Sequence, residues 1–216
     1  MTQRPARGAV VFDCDGVLLD TERAWTRAET TLFARHGQTF GLGHKRAMIG
    51  TSFAESARLL ETMLAQPGRG SELLRELEGL AAQEFVKGVN PLPGAVELLV
   101  LVRKTRPVGV ASNTHRSLLE VALSTASLDG AFPVVVAGDD VDRPKPAPDL
   151  YLRACELLGV RPEEAVALED TITGVTAARA AGMYVIGIPS LPDTELEADL
   201  VVPSLADPAV REALGV

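Results

Sequence analysis

Short apolar runs that stop at polar residues recur along the chain. Val10, Val11 and Phe12 run into Asp13 and Gly16, Pro107–Ala111 into Ser112, Val134–Ala137 into Gly138 and Ala165–Leu168 into Glu169. Tyr184–Ile188 and Leu200–Val202 complete the set. Runs this short, rich in Val and Ile and bounded by turn residues, predict strands rather than helices. The gaps between them carry helical patterns at Ala95–Lys104, Ser117–Ala126, Asp149–Leu158 and Val175–Ala181. Pro148 precedes the third of these helices and Gly182 closes the fourth, the usual asymmetry of helix starts and stops. Strand and helix alternate from Pro107 onward. The predicted fold class is therefore α/β, a Rossmann-like open and mostly parallel sheet with helices on both faces.

Residues 20–88 break that rhythm. They hold helical patterns at Glu22–His36, Ser52–Ala65 and Ser71–Val86, no strand-like run, and a Pro67-Gly68-Arg69-Gly70 break. The reading is an all-helical cap, residues 20–88, inserted into an α/β core made of residues 1–19 and 89–216.

Composition narrows the function. The 216 residues carry 29 acidic against 21 basic side chains, a formal charge of -8, which argues against nucleic acid or an anionic membrane as partner. The two cysteines, Cys14 and Cys155, have no paired spacing, so neither a disulfide framework nor a zinc site is expected, and a reducing cytoplasm fits. Arg4 and Arg7 precede only a brief apolar stretch, and no run approaches the roughly 18 residues of a membrane span. The expectation is a cytoplasmic protein without signal peptide or membrane segment, a monomer or weak homodimer.

Ligands of such sheets bind beyond the carboxyl ends of the strands, near the point where strand order reverses. The polar residues predicted to converge there are Asp13 and Asp15, Ser112 and Asn113, and Glu169 and Asp170, joined by Lys145 from a proline-flanked loop. Four carboxylates in one place repel unless a cation sits among them, and hard oxygen donors of this kind suit Mg²⁺. Lysine, hydroxyl and amide groups beside the ion suit phosphate oxygens, with Ser112, Asn113 and Lys145 as the candidates. Each element has an ordinary structural reading: a turn at Asp13–Gly16, helix caps at Ser112–Thr114 and Glu169–Asp170, a solvated loop lysine at Lys145. Their succession in one order, at the ends of successive units, points instead to magnesium-dependent phosphoryl transfer.

Four segments carry a family resemblance. Phe12-Asp13-Cys14-Asp15-Gly16-Val17-Leu18-Leu19-Asp20-Thr21-Glu22, Val110-Ala111-Ser112-Asn113, Arg143-Pro144-Lys145-Pro146-Ala147-Pro148-Asp149 and Leu168-Glu169-Asp170-Thr171-Ile172-Thr173-Gly174-Val175 closely resemble the motifs of the haloacid dehalogenase superfamily. The helical insert and the Glu-Asp pair resemble its subgroup of β-phosphoglucomutase and small sugar-phosphate phosphatases. The resemblance implies Asp13 as nucleophile, forming an aspartyl-phosphate, and Asp15 as the acid and base that serves the leaving alcohol and then water. It implies Mg²⁺ held by Asp13, the Asp15 carbonyl and Asp170, with Glu169 ligating directly or through water. Dehalogenases lack the second aspartate, so Asp15 points to phosphate esters.

Within the subgroup, β-phosphoglucomutase has a histidine where this chain has Trp25 and an arginine where it has Phe53, and Thr21–Glu29 looks instead like hexose-phosphate phosphatases. The expected activity is hydrolysis of a small phosphorylated metabolite, a sugar phosphate foremost. The alternatives are a phosphomutase and, from another class, a non-catalytic domain switched by phosphorylation of aspartate. Trp25, Arg46 of the run His44-Lys45-Arg46, and Lys87 are the cap candidates for substrate selectivity. Cys14, between the two aspartates, is expected to face the core.

Overall fold

The structure, a computed structural model, describes residues 8–191 and 194–216. The amino-terminal arginines and the rest of residues 1–7 in the expected core range lie outside the described residues, as do Pro192 and Asp193.

The apolar runs form six parallel strands, β1 (Ala9–Phe12), β2 (Val108–Ala111), β3 (Val134–Val136), β4 (Ala165–Glu169), β5 (Tyr184–Gly187) and β6 (Leu200–Val201), in the order β3-β2-β1-β4-β5-β6. The chain builds outward from β1 through β2 and β3, then returns to place β4 on its other side. The reversal of strand order thus falls between β1 and β4, where Val10 pairs Val166 and Phe12 pairs Leu168. The crevice that such a reversal opens lies at the carboxyl ends of these two strands.

Side chains alternate between two cores, as the two-residue period of a strand requires. Val10, Phe12, Val166, Leu168 and Ile186 face one side; Ala9, Val11, Ala165, Ala167 and Val185 face the other. The second face is mostly small. On it lie α7 (Asp149–Leu158) and α8 (Ile172–Ala180), the latter contributing Val175, Ala177 and Ala178. The larger side chains of the first face meet α5 (Ala95–Val102), α6 (Arg116–Thr125) and α9 (Pro208–Leu214). Cys14 is buried in that same first core.

Between β1 and α5 the chain is helical: α1 (Glu22–Arg35), α2 (Leu42–Met48), α3 (Phe53–Met63) and α4 (Gly70–Phe85). Leu73, Leu74, Leu77, Leu80 and Ala81 make the inward stripe of α4, spaced by three and four, and both α1 and α3 pack on α4. This helical segment leaves and rejoins the sheet at one place. The Asp20 N–H donates to the Asn90 carbonyl and the Leu92 N–H to the Leu18 carbonyl, both at 2.9 Å.

Among the described residues two α-helices, α2 and α9, have no counterpart among the predicted elements. For α9 the signals were present: Asp207 caps it by accepting the Ala209 N–H at 2.9 Å, Pro208 is its first residue and Gly215 follows its last turn. Helix α2 is only seven residues long and has few local signals. No helix among the described residues is long and apolar enough to cross a membrane.

Small residues on the α8 side set the helix–sheet spacing. Ala177→Leu, at a fully buried position, is expected to destabilise by about 1–3 kcal/mol. Thr176→Leu, one residue away and exposed, should stay within about 0.5 kcal/mol of the parent. Urea unfolding of the two variants checks the contrast.

Candidate active site

Asp13 follows β1, and its backbone N–H bonds the Leu168 carbonyl of β4 at 2.9 Å, which fixes it at the strand reversal. Ser112 follows β2 and is tied by its N–H to the Val136 carbonyl at 3.0 Å. Glu169 ends β4 and Asp170 is the next residue. All four are buried. Neither capping interpretation holds: α6 begins beyond the Ser112–Thr114 triplet with His115 as its cap residue, and α8 is capped by Thr171, whose hydroxyl accepts the Gly174 N–H at 3.1 Å.

Lys145 comes from the loop after β3 and is almost wholly buried, with 3% of its surface exposed. Its three ammonium protons are all accounted for. They go to Asp13 Oδ1 at 2.5 Å, Glu169 Oε1 at 2.6 Å and the Ala111 carbonyl at 2.8 Å. Asn113 positions this lysine: its carboxamide accepts the Lys145 N–H at 2.8 Å and donates to the Lys145 carbonyl at 3.2 Å. The Asn113 side chain thus clamps the Lys145 backbone, and Asn113 also borders the cavity in front of Asp13.

Glu169 is held on every side. Oε1 also accepts the Tyr151 hydroxyl at 2.5 Å, and Oε2 accepts the Asp170 N–H at 3.2 Å. Two glycines make room for the acidic pair. A Cβ on Gly174 would stand 2.0 Å from the Glu169 carboxylate. One on Gly16, at φ +84°, would stand 2.2 Å from Asp170 Oδ2, so both backbone conformation and space require glycine there.

Carboxylate oxygens of Asp13, Glu169 and Asp170 lie within 4.8 Å of one another. Burial pushes the Asp13 carboxyl well above its ordinary value; Lys145 pulls it down while Glu169 and Asp15 add to the rise. Burial does the same to Asp170, reinforced by Asp13 and Glu169. For Lys145 burial disfavours the charge, but Asp13 and Glu169 outweigh it and keep the ammonium above its ordinary value. One ammonium therefore faces three converging carboxylates, an arrangement of hard oxygen donors that a divalent cation would complete.

Asp15 is separately tethered. Its Oδ1 accepts Thr21 Oγ1 at 2.7 Å and Trp25 Nε1 at 3.3 Å; its Oδ2 accepts Ser112 Oγ at 3.1 Å and Thr114 Oγ1 at 2.9 Å. The Ser112 hydroxyl in turn accepts the Thr114 N–H at 3.0 Å.

With Glu169 standing behind them, Asp13, Asp15, Ser112, Thr114, Lys145 and Asp170 line one side of that cavity of about 110 Å³, whose other side is formed by the helical segment. Of the three cap candidates only Trp25 borders it. Its ring also packs edge-on against Phe85, with centroids 5.7 Å apart. Arg46 is exposed and outside the cavity, and Lys87 is exposed and paired with Glu84. Polar residues that border the cavity and were not singled out as candidates include Glu22, Glu29 and Thr114, and from the run His44-Lys45-Arg46 it is Lys45, not Arg46, that borders it. The spacing of Glu22, Trp25 and Glu29 by three and four was a usable signal, since it places them on one helix face.

A family model described as "Haloacid dehalogenase-like hydrolase" matches residues 10–188. Validoxylamine A 7'-phosphate phosphatase of Streptomyces hygroscopicus subsp. limoneus is 32% identical over 201 residues, 91% of this chain and 93% of that protein. Hexitol phosphatase B of Escherichia coli (strain K12) is 30% identical over 217 residues, 96% of each. Among solved structures, CbbY from Rhodobacter sphaeroides in complex with phosphate superposes with a TM-score of 0.83 at 27% identity, over 98% of this chain and 100% of that one.

Crowded buried carboxylates weigh on stability in a metal-free protein. Because the folded-state value of Asp170 lies above its ordinary 3.8, the unfolded chain ionises first, so the penalty grows as pH rises from that value through the folded one. Asp170→Asn should therefore melt higher than the parent in EDTA at neutral pH, with the gap closing as pH falls toward 3.8. Calorimetry across that range measures it. Added Mg²⁺ should raise the melting temperature of the parent and not of the variant.

Proposed function

Because the chain belongs to the haloacid dehalogenase-like hydrolase family, we propose that it is a magnesium-dependent phosphatase of a small phosphorylated metabolite, with a sugar phosphate as the leading class. The observation that carries this reading is the buried Lys145 between Asp13 and Glu169, with Asp15 on the same cavity. Two relatives of nearly the same length are named as phosphatases, one of validoxylamine A 7'-phosphate and the other a hexitol phosphatase, which supports it.

Asp13 attacks phosphorus as the bond to the leaving oxygen breaks, giving an aspartyl-phosphate. Asp15 gives a proton to that oxygen, then takes one from the water that hydrolyses the acyl phosphate. Its four donors on two edges fix the carboxylate and leave it little freedom to wander. Lys145 offsets the charge on Asp13 so that a phosphate dianion can approach, and with Ser112 it faces the transferring oxygens. Asp13, Asp170 and the Asp15 carbonyl are the groups suited to Mg²⁺, which when bound neutralises charge on the phosphoryl group. Glu169, already engaged by Lys145, Tyr151 and the Asp170 N–H, supports the site from behind or through water.

Residues 20–88 are the cap over this core, residues 1–19 and 89–216, and closing it excludes water from the acyl phosphate. Trp25 and Phe53 both border the cavity, in the positions where β-phosphoglucomutase carries histidine and arginine, and this favours hydrolysis over mutation.

With p-nitrophenyl phosphate and Mg²⁺, Asp13→Asn should lose more than about 10⁴-fold in kcat. Full activity in that variant rules out the nucleophile. Phosphorus NMR of a glucose phosphate incubated with the parent separates the two reactions, since free phosphate marks hydrolysis and an isomeric ester marks mutation.

A further inference from the structure

The cap contributes its own charged cluster to the cavity. Glu22 and Glu29 lie on the inward face of α1, and Lys45 reaches them from α2, at 2.8 Å from Glu22 and 3.1 Å from Glu29. These side chains are not a solvated face: Lys45 is 12% exposed, Glu29 5% and Glu22 28%. Outward neighbours on the same helix, such as Arg23, are open to solvent. Two carboxylates and one ammonium withdrawn from water are a costly way to join two helices, and all three border the cavity that holds Asp13 and Asp15.

The charge balance of that cavity decides what fits. Its ammonium groups are Lys45 and Lys145, each already bound between two carboxylates, and neither arginine nor histidine borders it among the described residues. Carboxylates outnumber ammonium groups on its walls by five to two. Glu22 and Glu29 more than offset the burial of Lys45 and hold its ammonium above the ordinary value, so the cation stays charged and engaged. Among the largely apolar side chains of the cap wall, Trp25, Met48, Ile49, Phe53, Leu74 and Leu77, the polar atoms it offers a ligand are the carboxylate oxygens of Glu22 and Glu29 and the hydroxyls of Thr51 and Ser56, which share a hydrogen bond at 2.7 Å. Such a wall accepts hydrogen bonds from hydroxyl groups and meets a second anion with like charge.

We infer that Glu22, Lys45 and Glu29 form a specificity subsite that selects phosphate monoesters with a neutral, hydroxyl-rich leaving group and rejects those carrying a carboxylate or a second phosphate. The inference rests on the phosphatase reading and gives its substrate class. Rejection is as much a part of it as attraction, because discrimination is a difference between two affinities.

Matched substrates test it on the full chain with Mg²⁺: sorbitol 6-phosphate against 6-phosphogluconate, and glycerol 3-phosphate against 3-phosphoglycerate. Each pair replaces a terminal alcohol with a carboxylate. The parent should favour the alcohol of at least one pair by about tenfold or more in kcat/KM. Glu22→Gln frees part of the Lys45 charge and should narrow that ratio by about threefold or more, mainly through KM for the acid. Lys45→Met removes the cation and should move the ratio the other way. A merely structural cluster would depress both members of a pair alike, and a ratio unmoved by both variants overturns the subsite. So does a parent that hydrolyses p-nitrophenyl phosphate but treats the members of each pair equally, or hydrolyses neither pair. A parent inactive on p-nitrophenyl phosphate overturns the phosphatase reading itself.

Discussion

The interaction on which the site depends is the burial of one ammonium at the reversal of strand order. Lys145 is almost wholly buried, so its charge is satisfied chiefly by protein, and each of its three protons has a protein acceptor. Those acceptors belong to different segments: Asp13 follows β1, Ala111 ends β2 and Glu169 ends β4. A single side chain thus ties together the ends of strands that are distant in sequence. The ties extend outward through Asn113, which clamps the lysine's peptide, and Tyr151, which reaches Glu169 from α7. Breaking such a buried pair from one side leaves an uncompensated charge, which explains why the surrounding loops are anchored so fully.

The same logic appears twice in one cavity, with opposite purposes. In the proposed mechanism the core lysine lies beside the attacking carboxylate, and its charge lowers the barrier to approach by an anion. In the helical segment the lysine is absorbed by two glutamates, and the polar atoms left on that otherwise apolar wall are mainly acceptors. The two walls are built on different principles of support. The core residues stand at ends of a sheet buried on both faces, whereas the cap residues stand on helices that pack chiefly on one another.

The strands were legible because parallel strands buried on both faces must be apolar throughout, so their ends announce themselves as the first polar residue. That rule places Asp13, Ser112 and Glu169 without knowledge of the fold. Lys145 was legible through its motif. Helix facing in the cap was not. One step along a helix turns the side chain by about 100°, which is why Arg46 faces solvent while Lys45 reaches α1. The pattern of α1 alone contains the answer for Glu22, Trp25 and Glu29, but local sequence does not state which face meets another element. The partners of Asp15 were hidden for a different reason: Thr21 and Thr114 look like ordinary turn or cap residues until the third dimension brings them to one carboxylate.

The place where the helical segment leaves and rejoins the sheet has a further meaning. Its two ends are joined by a pair of backbone hydrogen bonds, Asp20 to Asn90 and Leu92 to Leu18, so they are neighbours in space although about seventy residues apart in sequence. A segment whose ends already touch can be lengthened, shortened or exchanged without moving the strands beneath it. Under the proposed function, with chemistry on the sheet and choice of substrate on the inserted helices, this means that one can be altered while the strands that carry the other stay in place.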